Sequence, residues 1–113
     1  MSLNDSLDTL NALIAKAEAK LRKIPGAFHD DAYIYLGRLD PANDCLEFYL
    51  RMHGDSLVVV DDGEFCKPLK EMQIRHRIDA AKEIPNLIEV ANRECESVAK
   101  EIDALNAELS ESI

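Results

Sequence analysis

Apolar side chains return every three or four residues at both ends of this chain and every second residue between them, so the pattern alone divides it into helix, sheet and helix. Leu3, Leu7, Leu10, Ile14, Ala17, Leu21 and Ile24 make the first helical stripe. Ser2, with Asp5 three residues on, reads as a capping box at its start. Asp5 and Asp8 near the beginning and Lys20, Arg22 and Lys23 near the end both suit the helix dipole. Pro25-Gly26 stops the helix, which is predicted over residues 3–24.

Ala32, Ile34 and Leu36, and again Leu46, Phe48, Leu50 and Met52, alternate with Tyr33, Tyr35, Glu47, Tyr49 and Arg51. A side-chain period of two with one apolar face is the mark of a half-buried strand. Asp40-Pro41-Ala42-Asn43 and His53-Gly54-Asp55 supply turns before the apolar run Leu57 to Val60, and Asp62-Gly63 is a further hairpin signal. Strands are predicted at about 32–39, 44–52 and 56–61, with a short fourth at 64–66, giving a three- or four-stranded antiparallel meander.

The last third carries the longest repeat. Ile74, Arg77, Ala81, Ile84, Ile88, Ala91, Cys95, Val98, Ile102, Leu105 and Leu109 follow a heptad alternation that only Arg77 interrupts. Pro68 fits the first turn of a helix, and the predicted helix runs over about 69–111. Pro85 removes a hydrogen bond to Ala81, but the heptad continues in register through it, so the expectation is one continuous helix kinked near Pro85. Helix one should lie antiparallel to this helix, its seam matching Ile88 to Leu109, with Lys16, Lys20, Arg22 and Lys23 near Glu83, Glu89 and Glu94. The fold class is therefore α+β in a single domain, 1–113. Small residues at Ala12, Ala15, Ala19, Ala99, Ala104 and Ala107 allow a second copy to approach closely, so the expected assembly is a coiled-coil homodimer.

Charge narrows the function. A net charge of −9 opposes general nucleic-acid binding, because an acidic surface repels phosphate. Three dispersed cysteines, Cys45, Cys66 and Cys95, indicate neither a disulfide framework nor a CxxC metal site and suit a reducing cytosol. The first apolar residues are interleaved with Asn4, Asp5, Asp8 and Asn11, unlike a signal peptide, and no apolar run is long enough to span a membrane.

Two stretches are candidates for recognition. Tyr33, Tyr35, Tyr49 and Arg51 fall on the sheet face opposite the helices, and tyrosine with arginine is the composition of a protein-binding surface. Tyrosines also stabilise sheets merely by crossing neighbouring strands. An aromatic sheet face is shared by RNA-binding domains, but the acidic surroundings and the missing glycine-containing aromatic signature argue against RNA. The second stretch is the basic start of the long helix, Lys67, Lys70, Arg75 and His76, where free N–H groups and cations together would attract an anion. A solvated charged face balancing Asp30, Asp31, Asp61, Asp62 and Glu64 is the commoner origin of such a run. Arg77, on the seam, is either a buried pairing device or a stem packed with its head in water.

His29-Asp30-Asp31 and His53-Gly54-Asp55 place histidine beside carboxylate, yet turn chemistry alone wants those residues. Cys66 with His76 or His53 could form a nucleophile and base, but nothing in the spacing brings them together. There is no metal-ligand spacing and no glycine-rich phosphate loop. The expectation is a non-enzymatic interaction protein, an adaptor, small chaperone or inhibitor, without cofactor or metal. It would pair with itself and present its tyrosine face to a protein partner, an acidic DNA mimic being a variant of this. The alternative is a small-molecule module holding an anionic or nucleotide ligand at Lys67, Lys70, Arg75 and His76.

Overall fold

The computed structural model describes residues 2–37 and 47–113. The turn expected at Asp40-Pro41-Ala42-Asn43, with Cys45, Leu46 and the adjoining strand ends, lies outside them. The fold is α+β. Helix α1 (Leu3–Arg22) leads through a 3-10 turn (Pro25–Phe28) into strands β1 (Ile34–Gly37), β2 (Phe48–His53), β3 (Ser56–Asp61) and β4 (Cys66–Pro68). A second 3-10 turn (Leu69–Glu71), helix α2 (Ile74–Ala81) and helix α3 (Ile84–Ser112) complete it. The strands form one antiparallel sheet in the order β1-β2-β3-β4.

Local chemistry explains each boundary. Ser2 Oγ accepts from Asp5 N at 3.1 Å, capping α1 as its sequence predicts. Gly54, at φ 59°, is the first residue of the two-residue turn joining β2 to β3, the position where a right-twisted hairpin requires glycine. Gly37, at φ 75°, stands where the β1–β2 register slips by one residue, a bulge that a residue without Cβ accommodates. The fourth strand begins two residues later than expected, because Asp62-Gly63 does not close a tight hairpin. Asp61 Oδ1 instead accepts from Gly63 N at 2.8 Å and Phe65 N at 3.0 Å, which shapes a longer loop.

The C-terminal part departs from the expected single helix. Pro68 ends β4 rather than opening a helix, and the chain turns through Leu69 and Met72, both buried in the core, before α2 begins. Nor is Pro85 a kink. The helix stops at Lys82–Glu83, and Pro85 sits in the first turn of a new helix, where its missing N–H costs nothing. The break avoids the clash that a proline inside a helix imposes, and it buries Ala80 and Leu87, neighbours of the expected seam, while Ile84 and Ile88 pack at the edge of the core.

The core is built from Ile14 and Leu21 of α1, Phe48, Leu50 and Met52 of β2, Leu57 and Val59 of β3, and Leu69, Met72, Ala80, Leu87 and Ala91 of the C-terminal part. The expected pairing of helix one's seam with Ile88 to Leu109 is not made. Arg77 Nη1 of α2 reaches Asn11 of α1 at 3.1 Å, and Gly26 N reaches Cys95 Sγ at 3.0 Å, so the turn after α1 makes the main contact with α3, which α1 itself only touches. Arg22 contacts the Asp55 carbonyl at 3.4 Å and Glu94 faces His29, in place of the ion pairs expected between the two helices. Every residue from 99 to 113 is exposed. With a radius of gyration of 17.2 Å, against about 13 Å for a sphere-like chain of this length, and extents of 63 × 34 × 19 Å, the molecule is a small globule with a projecting helix.

Candidate functional site

Alternation along β2 decides what the outer face of the sheet carries. Phe48, Leu50 and Met52 are buried against the helices, which turns Tyr49 and Arg51 outward. Tyr35 pairs across the strands with Tyr49, and Tyr33 lies two residues earlier on the same face. The three rings meet: Tyr33 and Tyr49 stand edge-to-face with centroids 5.3 Å apart and planes at 89°, while Tyr35 and Tyr49 are 5.6 Å apart at 52°. Both geometries suit the aromatic quadrupole. Tyr35 donates from its hydroxyl to Glu47 Oε1 at 3.1 Å.

Beside this cluster is a cleft of about 290 Å³. Tyr33, Tyr49 and Arg51 line it together with Val60, the cross-strand partner of Tyr49. Its remaining wall is acidic, formed by Asp30, Asp61 and Asp62. Desolvation, and after it the charge and hydrogen bond of Asp62, raise the Tyr49 phenol above its ordinary value of 10.0. The structure thus brings together all four residues that the sequence marks on this face. The carboxylates around them were legible only as loop charge, because nothing in the spacing tells that the loop before β1 and the loop after β3 meet over Tyr49.

The basic stretch is arranged differently. Lys67 is exposed on β4, Arg75 is exposed at the start of α2 and His76 is half-buried on it. Lys70 Nζ lies 3.1 Å from Glu18 Oε1, so its charge is already engaged by a carboxylate that is only 3% exposed. Between Lys67 and Lys70 only the three-residue 3-10 turn Leu69–Glu71 begins, and no α-helix starts there to supply the row of free N–H groups that an anion site requires. Arg77 follows neither sequence reading completely. Its guanidinium is drawn inward by neutral oxygens, Asn11 Oδ1 at 3.1 Å and the Met72 carbonyl at 2.8 Å, and it ties α1 to the turn before α2.

A second, larger hollow of about 540 Å³ lies between the turn after α1 and α3, lined by Phe28, His29, Asp31, Glu94, Val98 and Glu101 among others. His29 Nδ1 is 3.6 Å from Glu94 Oε2 there. Among the described residues no group of three histidine, cysteine or acidic side chains could hold a metal ion, and no helix is long and apolar enough to cross a membrane. No protein-family model, no curated protein and no solved structure matches this chain.

Proposed function

We propose that this chain is a non-enzymatic interaction protein of the adaptor type, which pairs with a second copy through the projecting part of α3 and leaves its tyrosine face to a partner protein. One observation carries the reading. The heptad seam of α3 runs on past the last core residue, yet Ile102, Leu105 and Leu109 are 50%, 50% and 45% exposed. A helix placing apolar residues at every seam position is built to bury them, and here its own globule does not.

Charge placement favours a second copy in parallel orientation. With Ile102 and Leu109 at the first seam position of each heptad, Glu94, Glu101 and Glu108 flank the seam on one side and Ala99, Asn106 and Ile113 on the other. A parallel pair sets each glutamate against a neutral residue, whereas an antiparallel pair sets glutamate against glutamate. The strength follows from the area available. Burying the still-exposed halves of Ile102, Leu105 and Leu109 from two chains contributes about 6 kcal/mol. The cost of association is about 4–15 kcal/mol. The pair is therefore weak and dissociates on dilution.

Sedimentation equilibrium over a wide concentration range tests this. A monomer–dimer equilibrium is expected, abolished by Ile102→Asp with Leu109→Asp, two exposed positions whose change leaves the core intact. A single-chain mass at every concentration would refute the pairing.

A further inference from the structure

The cleft beside the tyrosines has a chemistry of its own. Tyr33 and Tyr49, with planes at 89°, form two walls of a corner, and ring faces attract cations through their quadrupole. Three carboxylates, Asp30, Asp61 and Asp62, stand against one guanidinium, Arg51, so the cleft carries a net charge of −2. Asp61 is occupied in part by the loop it shapes, through Gly63 N and Phe65 N, and Asp62 accepts from the Tyr49 hydroxyl, yet Asp30 and Asp62 are both exposed and present carboxylate oxygens to the site. A volume of about 290 Å³ accommodates a substituted ammonium group with its first methylenes, and Tyr33, 44% exposed, keeps one side open to solvent. An open side admits a ligand that remains attached to a longer chain. An aromatic corner with acids at its rim is selective for an organic cation over an anion or a neutral amide, since both elements reward positive charge and neither rewards its absence.

We infer that this cleft receives the ammonium group of a lysine side chain, bare or methylated, presented by a partner protein. The inference rests on the reading of the tyrosine face as a recognition surface and names what that surface recognises. It does not depend on the pairing of α3. Arg51 opposes the ligand, which gives the proposal a signature of unusual sign: removing this one cation strengthens binding. A ligand recognised through its carboxylate or phosphate predicts the reverse.

The experiment is an amide chemical-shift titration of the isotope-labelled chain. The probes are one short peptide carrying lysine, trimethyl-lysine or acetyl-lysine at a single position, and tetramethylammonium alone. The two charged peptides should shift the resonances of Tyr33, Tyr49 and Asp62, and the acetylated one should not. Tyr33→Ala and the pair Asp30→Asn with Asp62→Asn should each weaken the trimethyl-lysine peptide by about tenfold. Arg51→Gln should tighten it. Equal response to the acetylated peptide, weaker binding in Arg51→Gln, or no shift at the cleft with any probe overturns the inference. Tetramethylammonium binding as tightly as the peptide overturns its assignment to a protein side chain. Repeating the titration on Ile102→Asp with Leu109→Asp separates the two proposals, because the cleft shares only Asp30 with the hollow along α3 and neither substituted residue lines either one, so it should respond unchanged in a single chain.

Discussion

The carboxylate of Glu18 accepts the backbone N–H of Leu57 at 2.7 Å, joining the middle of α1 to the first inward residue of β3. The need for it comes from the sheet. β4 pairs with β3 only from Val58 to Val60, so the N–H of Leu57 falls beyond its reach and would be buried without a partner. The other Glu18 oxygen holds Lys70, just after β4 ends. One buried acid thus fastens α1, β3 and the turn toward α2 at a single point.

Replacing Glu18 by alanine leaves a buried N–H and an ammonium group unpartnered, and should lower stability by about 2–3 kcal/mol. Glu18→Gln keeps an acceptor and gives up only the charge, so it should cost less than half as much. Urea denaturation of the two variants measures the difference. Equal losses would mean that the Lys70 contact, not the Leu57 N–H, is what Glu18 serves.

Gly26 is pressed against α3. A Cβ there would stand 2.1 Å from the Ala91 carbonyl oxygen and 2.9 Å from Cys95 Sγ. Gly26→Ala should therefore destabilise by about 1–3 kcal/mol or more, since the obstacle is helix backbone, which cannot step aside. Adding Cys95→Ala should not rescue it. Thermal unfolding of the single and double variants checks both statements.

Arg77 spans two elements with its two terminal nitrogens. Lysine, with one point charge, cannot reach Asn11 and the Met72 carbonyl together, so Arg77→Lys should lose about 1–2 kcal/mol despite conserving charge. Asn11→Ala in the Arg77→Lys background should add little. A double-mutant cycle by chemical denaturation provides the test.

Tyr49 should ionise above the ordinary phenol value of 10.0, and Asp62→Asn should bring it back toward that value without reaching it, since desolvation is the larger cause. The folded state holds the Tyr49 proton more firmly than the unfolded chain does. Its contribution to stability is therefore complete below pH 10.0 and is lost as pH rises from there through the folded-state value. Ultraviolet titration of the phenols, compared with Tyr49→Phe, resolves the shift.

Much of this architecture was legible because period and turn chemistry agree. The stripe Leu3 to Leu21 sits on the observed α1, and Gly54 marks a turn that could be read from His53-Gly54-Asp55 alone. What escaped the sequence was long-range. Pro85 conflicts with a heptad that continues in register through it, and the chain breaks one step earlier, an outcome periodicity cannot distinguish from a kink. Pro25-Gly26 read as a mere stop signal, because close approach to Ala91 is a property of the packed molecule. At the cleft, the tyrosines could be placed by alternation, whereas Asp30 and Asp62 come from loops that no local rule brings together.

The exposed end of α3 has a further consequence for how the protein holds its shape. From residue 99 onward every position of the helix is exposed, and an isolated stretch of this length is only marginally helical in water. Amide protons along α3 should then exchange on a gradient, slowest near Leu87 and Ala91 and fastest toward Ser112. Whatever binds the projecting seam must complete its folding as well, so the slowing of exchange there reports occupancy residue by residue, without any label on the partner.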